Sequence, residues 1–380
     1  MCDEQLPAVV FDNGTGTIKA GCAGDARPRA EFLSVVGRPC QESQNRAEWV
    51  RSKDTFIGEE ALSITDQILV INHPIERAVV TNWDSLMKIW EHTFYEELRV
   101  RPEDHPILVT EPPRNPKRNR EKMAEIIFQT YSSPSLYIAI QAVLSLYASG
   151  LTTGLVLDCG DGASDVVPIF SGHAIHHAIF RLDVAGGDVT DYLMKILNEQ
   201  GFGQFRTASD REIVREIKEN LAYVPIHFKD EMIRARFRPE VVEQKYKLPD
   251  GQEILMGTQR FRCTEPLFLP SVLGVGSPGL PEAAYKAVTK CDLDTRKELF
   301  SNVVVCGGTT NLRGFSDRVY HELRNLAPEE RIRVLSPIKR KYMVWLGGSI
   351  LASLSSFNGM WISKSQYEEE GPCVIYKKCF

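Results

Sequence analysis

Three apolar runs, each ending in glycines and small polar residues, punctuate the chain. The first is Ala8-Val9-Val10-Phe11, followed by Asp12-Asn13-Gly14-Thr15-Gly16-Thr17-Ile18-Lys19. The second is Gly154-Leu155-Val156-Leu157 with Asp158-Cys159-Gly160-Asp161-Gly162 behind it. A third, looser copy runs from Asn302-Val303-Val304-Val305 into Cys306-Gly307-Gly308-Thr309-Thr310. Apolar runs without alternation predict strands buried on both faces, as at the centre of a layered α/β domain. The glycine-rich segment after the first run predicts a tight turn, and AGCAGD beyond it continues as a hairpin.

Between these runs the apolar period is helical. Ser85 to Tyr95 sets Leu86, Ile89, Trp90 and Phe94 on one stripe. Residues 119–130 behave likewise, and so do 209–223, which open on Ser209 with Glu212 three positions later, the spacing of a capping box. Residues 135–149 are nearly all apolar and predict one buried helix containing Gln141. Strand, helix and strand alternate throughout, so the expectation is α/β with mixed sheets. Residues 38–54 (RPCQESQNRAEWVRSKD) are polar around Trp49 and predict a surface loop. Residues 229–249 carry Arg234, Arg236, Arg238, Lys245 and Lys247, a basic insertion that reads as a solvated face.

Length and composition narrow the class. The 380 residues are long enough for two large domains. Hydrophobic residues at 43% and charged ones at 25% fit a packed globular chain rather than a disordered one. Lys+Arg 45 against Asp+Glu 50 leaves −5, so no global basic field invites nucleic acid directly. Membrane insertion is not expected, because no apolar run approaches the ~18–20 residues of a span. The opening MCDEQLP does not read as a signal peptide. Nine scattered cysteines without a CxxC pair imply reduced thiols in a cytoplasmic or nuclear compartment.

The glycine turns supply candidate chemistry. Asp12 followed by Gly14-Thr15-Gly16 offers backbone N–H groups and a hydroxyl to an anion, and Lys19 can reach a phosphate as a point charge. One such turn is no more than a common strand end. With a second copy at Asp158-Cys159-Gly160-Asp161-Gly162, two hairpins can clamp a polyphosphate. Asp12 and Asp158 then lie near a hydrated Mg²⁺, a cation that takes few protein oxygens. Gly307-Gly308-Thr309-Thr310 gives close backbone approach for a base or ribose.

Segments along the whole chain resemble the actin family: VVFDNGTGTIKAGCAGDARPRAEF, VTNWDSLMKIWEHTFYEELRV, PKRNREKMAEIIF, SLYIAIQAVLSLYASG, LDCGDGASDVVPI, TDYLMKIL, EIVREIKENLAYV, QRFRC, SNVVVCGGTT, RKYMVWLGGSILASLSSF and KKCF. The resemblance implies the actin/Hsp70/sugar-kinase ATPase fold, two duplicated α/β domains around a nucleotide cleft. Domain I takes 1–148 and 343–380, with a smaller lobe over roughly 34–72. Domain II takes 149–342, with a lobe over roughly 185–274. The implied cofactors are ATP or ADP with Mg²⁺ or Ca²⁺. By the same resemblance the phosphate-binding residues are Gly14, Thr15, Gly16, Thr17, Lys19, Gly160, Asp161 and Gly162. Ribose and base contacts fall on Gly186, Arg215, Lys218, Glu219, Gly307, Gly308, Thr309, Leu312 and Lys341. Asp12, Asp158 and Gln141 face the metal, and Gln141 also orders the attacking water. Asp165 stands where the family has a histidine near the γ-phosphate, and Leu312 where it stacks a tyrosine on adenine. Binding is therefore expected to persist, with at most a slow ATPase activity coupled to assembly.

Other departures lie on surfaces. In the family, the loop matching 38–54 inserts apolar residues into a neighbouring protomer, whereas here it reads Gln41-Glu42-Ser43-Gln44-Asn45-Arg46-Ala47-Glu48. The receiving side carries Phe170, Ser171 and His173, Arg77 replaces a modified histidine, and Gly187 replaces an arginine near the cleft. Tyr147, Ile350, Leu351 and Leu354 match the barbed-end groove that receives actin-binding proteins. The resemblance implies an ATP-binding cytoskeletal protein, working as a filament protomer among other actin protomers or as a subunit of a larger complex. A motor assembly such as a ciliary dynein, or a nuclear complex, is an example of the latter. The location is then the cytoplasm and cytoskeleton, with cilium, axoneme or nucleus as variants. The rival reading is a small-molecule kinase of the same superfold. A nucleotide-binding chaperone would need a peptide-binding domain that this length does not hold.

Overall fold

A computed structural model describes residues 6–40, 53–64, 68–202 and 205–379. The chain divides into two compact units: Met1–Val156 with Ile169–His176 and Tyr342–Phe380, and Leu157–Pro168 with His177–Lys341.

The first unit is built on a six-stranded sheet in the order Ile362–Ser363, Ser135–Ile140, Ile107–Glu111, Val9–Asn13, Thr17–Cys22, Ala30–Leu33. Its three central strands are parallel, while Val9–Asn13 returns antiparallel through Thr17–Cys22. Val9–Asn13 and Ile107–Glu111 are buried at every position, the burial expected of unalternating apolar runs. The helix Trp83–His92 covers one face with Leu86, Ile89 and Trp90, and Asn82 caps it by accepting from the Ser85 N–H at 3.0 Å. On the other face, helices Gln141–Ala148 and Met343–Ser353 pack together. Their backbones approach so closely that a Cβ at Gly347 would overlap the Leu144 carbonyl. A small sheet of Val36–Pro39, Phe56–Ile57 and Leu69–Asn72 has its own core of Leu33, Val35, Phe56, Ala61 and Leu69.

A second sheet has the order His173–Ala174, Ser164–Phe170, Gly154–Cys159, Val303–Cys306, Val334–Leu335, with Phe180–Leu182 also paired to Ser164–Phe170. Helices Gly186–Glu199 and Ala208–Leu221 pack together, as do Leu280–Thr289 and Phe315–Leu326.

Two local expectations are corrected. Residues 135–149 are not one helix: Ser135–Ile140 is a buried strand and the helix starts at Gln141. Continuous apolarity cannot separate a buried strand from a buried helix, and pairing with Ile107–Glu111 decides here for the strand. The capping box of the third helix lies at Thr207 and Asp210, not Ser209 and Glu212: Thr207 Oγ1 accepts from the Asp210 N–H at 3.1 Å, and Asp210 accepts from the Thr207 N–H at 2.9 Å. The basic insertion is a solvated face, as expected, carried on helix Phe228–Phe237 and hairpin Gln244–Lys247/Glu253–Met256. Arg234, Arg236, Arg238, Lys245 and Lys247 are all exposed on it. Residues 41–48 and Trp49 lie outside the described residues. No helix among the described residues is long and apolar enough to cross a membrane.

Candidate functional site

In the first hairpin, cross-strand register sets Asp12 opposite Lys19. Lys19 Nζ lies 3.1 Å from Asp12 Oδ2, and the Thr110 hydroxyl donates to Asp12 Oδ1 at 3.1 Å. All three residues are buried. Gln141 Nε2 points at the same corner, 3.4 Å from Asp12 Oδ1 and 3.3 Å from Thr110 Oγ1. It does so from the first position of its helix rather than from within it, because the parallel strand Ser135–Ile140 delivers it there. Asn13 is fixed by the Trp90 indole N–H at 3.1 Å.

The turn between the strands suits an anion. Among the described residues, no acceptor takes the backbone N–H of Gly14, Thr15 or Gly16. Three successive donors of this kind are able to hold an anion, and the paired Asp12 and Lys19 flank the turn. Gly14 is required, since a Cβ there would meet the Thr17 carbonyl oxygen at 2.6 Å. The Thr15 hydroxyl oxygen accepts from the Ala78 N–H at 2.9 Å, tying in a neighbouring two-residue turn. That turn includes Arg77, and both its residues have positive φ, 48° and 63°.

The second hairpin repeats the device within the other unit. Gly160 N–H donates to the Ala163 carbonyl at 3.0 Å, and the N–H groups of Asp161 and Gly162 again have no acceptor among the described residues. Three positions expected from sequence converge behind it. Thr309 Oγ1 donates to the Gly160 carbonyl at 2.8 Å, and the Gly186 N–H reaches the same oxygen at 3.0 Å. Gly307, at φ 86°, lies where a Cβ would overlap the Cys159 carbonyl and meet Asp158 Oδ1 at 2.7 Å. By contrast, a Cβ on Gly308 would find only the Lys341 stem, at 4.0 Å, so space remains there for a ligand. Gly187 stacks its N–H on the Asp161 carbonyl at 2.8 Å, and the Arg211 guanidinium, paired with Asp191, covers it.

Asp165 is engaged elsewhere. It accepts two hydrogen bonds from Arg181, Nε to Oδ1 and Nη2 to Oδ2, both at 2.9 Å. Burial works against the Arg181 charge, and this pairing outweighs it, so its basicity is raised. Sequence spacing gave no sign of Arg181, because its closeness follows from strand register.

The remaining expected contacts form two groups. Arg215 lies between Glu212, with Nε at 2.6 Å, and Glu219, with Nη1 at 2.9 Å. Lys218 is buried, donating to the Gly186 carbonyl and the Thr190 hydroxyl, each at 2.9 Å. Burial holds its ammonium below the usual lysine range despite the nearby Asp161. Leu312 is buried where the Gly308–Asn311 turn ends. Thr110, Arg181 and Thr190 have no local sequence signal, since each is recruited by tertiary packing, while Glu212, which the sequence marks only as a cap, pairs with Arg215.

In the proposed groove, Ile350 and Leu354 expose 40% and 46% of their surface, while Tyr147 and Leu351 are half-buried against the core. Phe170 and His173 close an exposed hairpin whose turn is Ser171-Gly172, both at positive φ.

Two α/β units, each carrying a carboxylate hairpin whose turn N–H groups have no acceptor among the described residues, define an actin-type two-domain protein. The family model for actin matches residues 3–380, and the chain belongs to the actin family. Proteins of this family generally bind nucleotide together with a divalent metal.

Proposed function

We propose that this actin-like protein binds ATP or ADP with Mg²⁺ or Ca²⁺ through its two glycine hairpins. The supporting observation is the repeated pattern itself: an Asp at the strand end, then a turn whose N–H groups lack acceptors among the described residues. Such donors suit phosphate oxygens, and the oxygen-only set of Asp12, Asp158 and Gln141 suits a hard divalent cation. The cation would neutralise phosphate charge. Gly14, Thr15, Gly16, Thr17, Lys19, Gly160, Asp161 and Gly162 would hold the phosphates. Gly186, Arg215, Lys218, Glu219, Gly307, Gly308, Thr309, Leu312 and Lys341 would hold ribose and base. Gln141, already oriented by Asp12 and Thr110, would place water. Asp165, held by Arg181, would give slower hydrolysis than a histidine there. Asp158→Ala should weaken Mg-ATP binding while Cys22→Ala leaves it unchanged. Equal, unaltered affinity in both variants defeats the assignment.

The cellular role we propose is a cytoskeletal subunit held by actin-binding partners at Tyr147, Ile350, Leu351 and Leu354. It would polymerise weakly alone and act in a motor or comparable complex. The changes at residues 38–54 and at Phe170, Ser171 and His173 support this, since protomer contacts depend on buried apolar anchors. Sedimentation in Mg-ATP and salt tests it, and robust filaments at low micromolar concentration would overturn the assembly reading.

A further inference from the structure

Helix Phe228–Phe237 has an anchored face and an unanchored one. Its inner stripe is Phe228, Glu231 and Ala235, three and four positions apart. Phe228 and Ala235 pack in one cluster with Val242 and Phe261, and Glu231 accepts from the Tyr223 hydroxyl at 2.6 Å. At 3.6 residues per turn, Ile233 and Phe237 both fall about 160° round the helix from Ala235, one turn apart on the outer crest. They are 56% and 76% exposed. Arg234 and Arg236 fall on opposite sides of that crest, and Arg238 follows the last helical residue.

Single exposed apolar side chains are ordinary, and cations in a last helical turn suit the helix dipole. Neither accounts for an apolar pair stacked one turn apart and framed by arginines. The guanidinium groups are also left open. Among the described residues, the side chains of Arg236 and Arg238 meet no carboxylate and no hydrogen-bond acceptor. Arg234 is 55% exposed and lies 3.6 Å from Glu231. Residues 232–238 (MIRARFR) thus carry three cations and no carboxylate of their own.

We propose that this crest docks a short acidic amphipathic helix of another protein. Its apolar side chains would seat on Ile233 and Phe237, and carboxylates on its two flanks would meet Arg234, Arg236 and Arg238. The proposal does not depend on the nucleotide reading above. Two features favour a protein over an anionic lipid surface. All three cations are arginine, whose planar fork takes a carboxylate by two hydrogen bonds and which is enriched at protein interfaces, where lysine is depleted. In addition, Asp230 lies on the crest side one turn before Ile233 and is exposed. A flat anionic surface would meet that carboxylate, whereas a helix crossing at Ile233 and Phe237 passes it by.

The test is fluorescence anisotropy on the full-length protein with two labelled peptides patterned in heptads. Both carry leucine at the apolar positions, and one has glutamate on its flanks where the other has lysine. The glutamate peptide should bind about tenfold more tightly or better, since complementary charge sets partner choice. Phe237→Ser should weaken it about tenfold, as loss of an aromatic anchor does. The double variant Arg234→Glu, Arg236→Glu should reverse the preference toward the lysine peptide. The substituted side chains are exposed and outside the core, so these variants fold. Failure of the wild type to bind either peptide, equal binding of both, or indifference to Phe237→Ser would overturn the inference. So would a preference that survives the double reversal. Vesicles of phosphatidylserine and phosphatidylcholine that bind through Phe237 while the glutamate peptide does not would make this a lipid-facing surface, and overturn it as well.

Discussion

The two glycine hairpins share a backbone design and differ in what holds them. Around the first, Asp12 is buried and its charge is balanced inside its own hairpin by Lys19, with Thr110 as a second donor. Around the second, the balancing Arg181 comes from a third strand and serves Asp165, while the backbone is fixed by Gly186, Gly307 and Thr309 packing on the turn. The same chain conformation is thus stabilised electrostatically in one unit and by close backbone packing in the other. A duplicated motif need not preserve the interactions that support it.

The largest expected effect breaks the electrostatic support. Lys19→Met leaves Asp12 buried and unpaired, and should cost about 3–5 kcal/mol, measured by denaturant unfolding. Arg181→Met leaves Asp165, whose side chain is only 7% exposed, buried without its guanidinium, so a loss of similar size, about 3–5 kcal/mol, is expected. A much smaller loss at Arg181 would show that the second carboxylate depends less on its cation than the first.

Next comes the packing support. Gly307→Ala forces a side chain into a left-handed conformation and onto the Cys159 carbonyl, so a loss of about 2–4 kcal/mol is expected. Gly14→Ala meets only the Thr17 carbonyl, at 2.6 Å and without a positive φ, and should cost about 1–2 kcal/mol. Thermal melts of both variants check the order. A larger loss at Gly14 would mean that the first hairpin depends on backbone packing as much as the second.

These contrasts also mark what the sequence could show. The three strand–glycine elements were legible because Asp12, Gly14, Asp158, Gly160 and Gly307 are local signals of turn and approach. The partners were not. Thr110 reaches Asp12 across 98 positions. Arg181 reaches Asp165 only through register, which no short window reveals. Gln141 was placed inside a helix because apolar continuity hid the strand before it. The cap at Thr207 was missed by two positions because Ser209 and Glu212 offer the same spacing as Thr207 and Asp210. Family resemblance supplied residue roles, but which charges neutralise one another depends on strand pairing.

The smallest effect concerns a support that only the first hairpin has. The Thr15 hydroxyl oxygen accepts from the Ala78 N–H, and Ala78 sits at φ 63° beside Arg77 at φ 48°. Two-residue hairpin turns with both φ values positive favour Asn-Gly, because other residues crowd Cβ against the backbone. Ala78→Gly relieves about 1–2 kcal/mol of that crowding, while the freer unfolded chain takes back about 0.4–1 kcal/mol. The net gain should be about 0.5–1 kcal/mol, visible as a small rise in melting temperature, with the N–H to Thr15 retained. Thr15→Val then separates the turn from the hairpin: it removes the acceptor and leaves the Ala78 N–H without its partner. If the turn supports the glycine hairpin, Ala78→Gly should leave nucleotide affinity unchanged and Thr15→Val should lower it. An affinity indifferent to Thr15→Val would show that the first hairpin holds its shape through Asp12 and Lys19 alone, which would sharpen the contrast with the second.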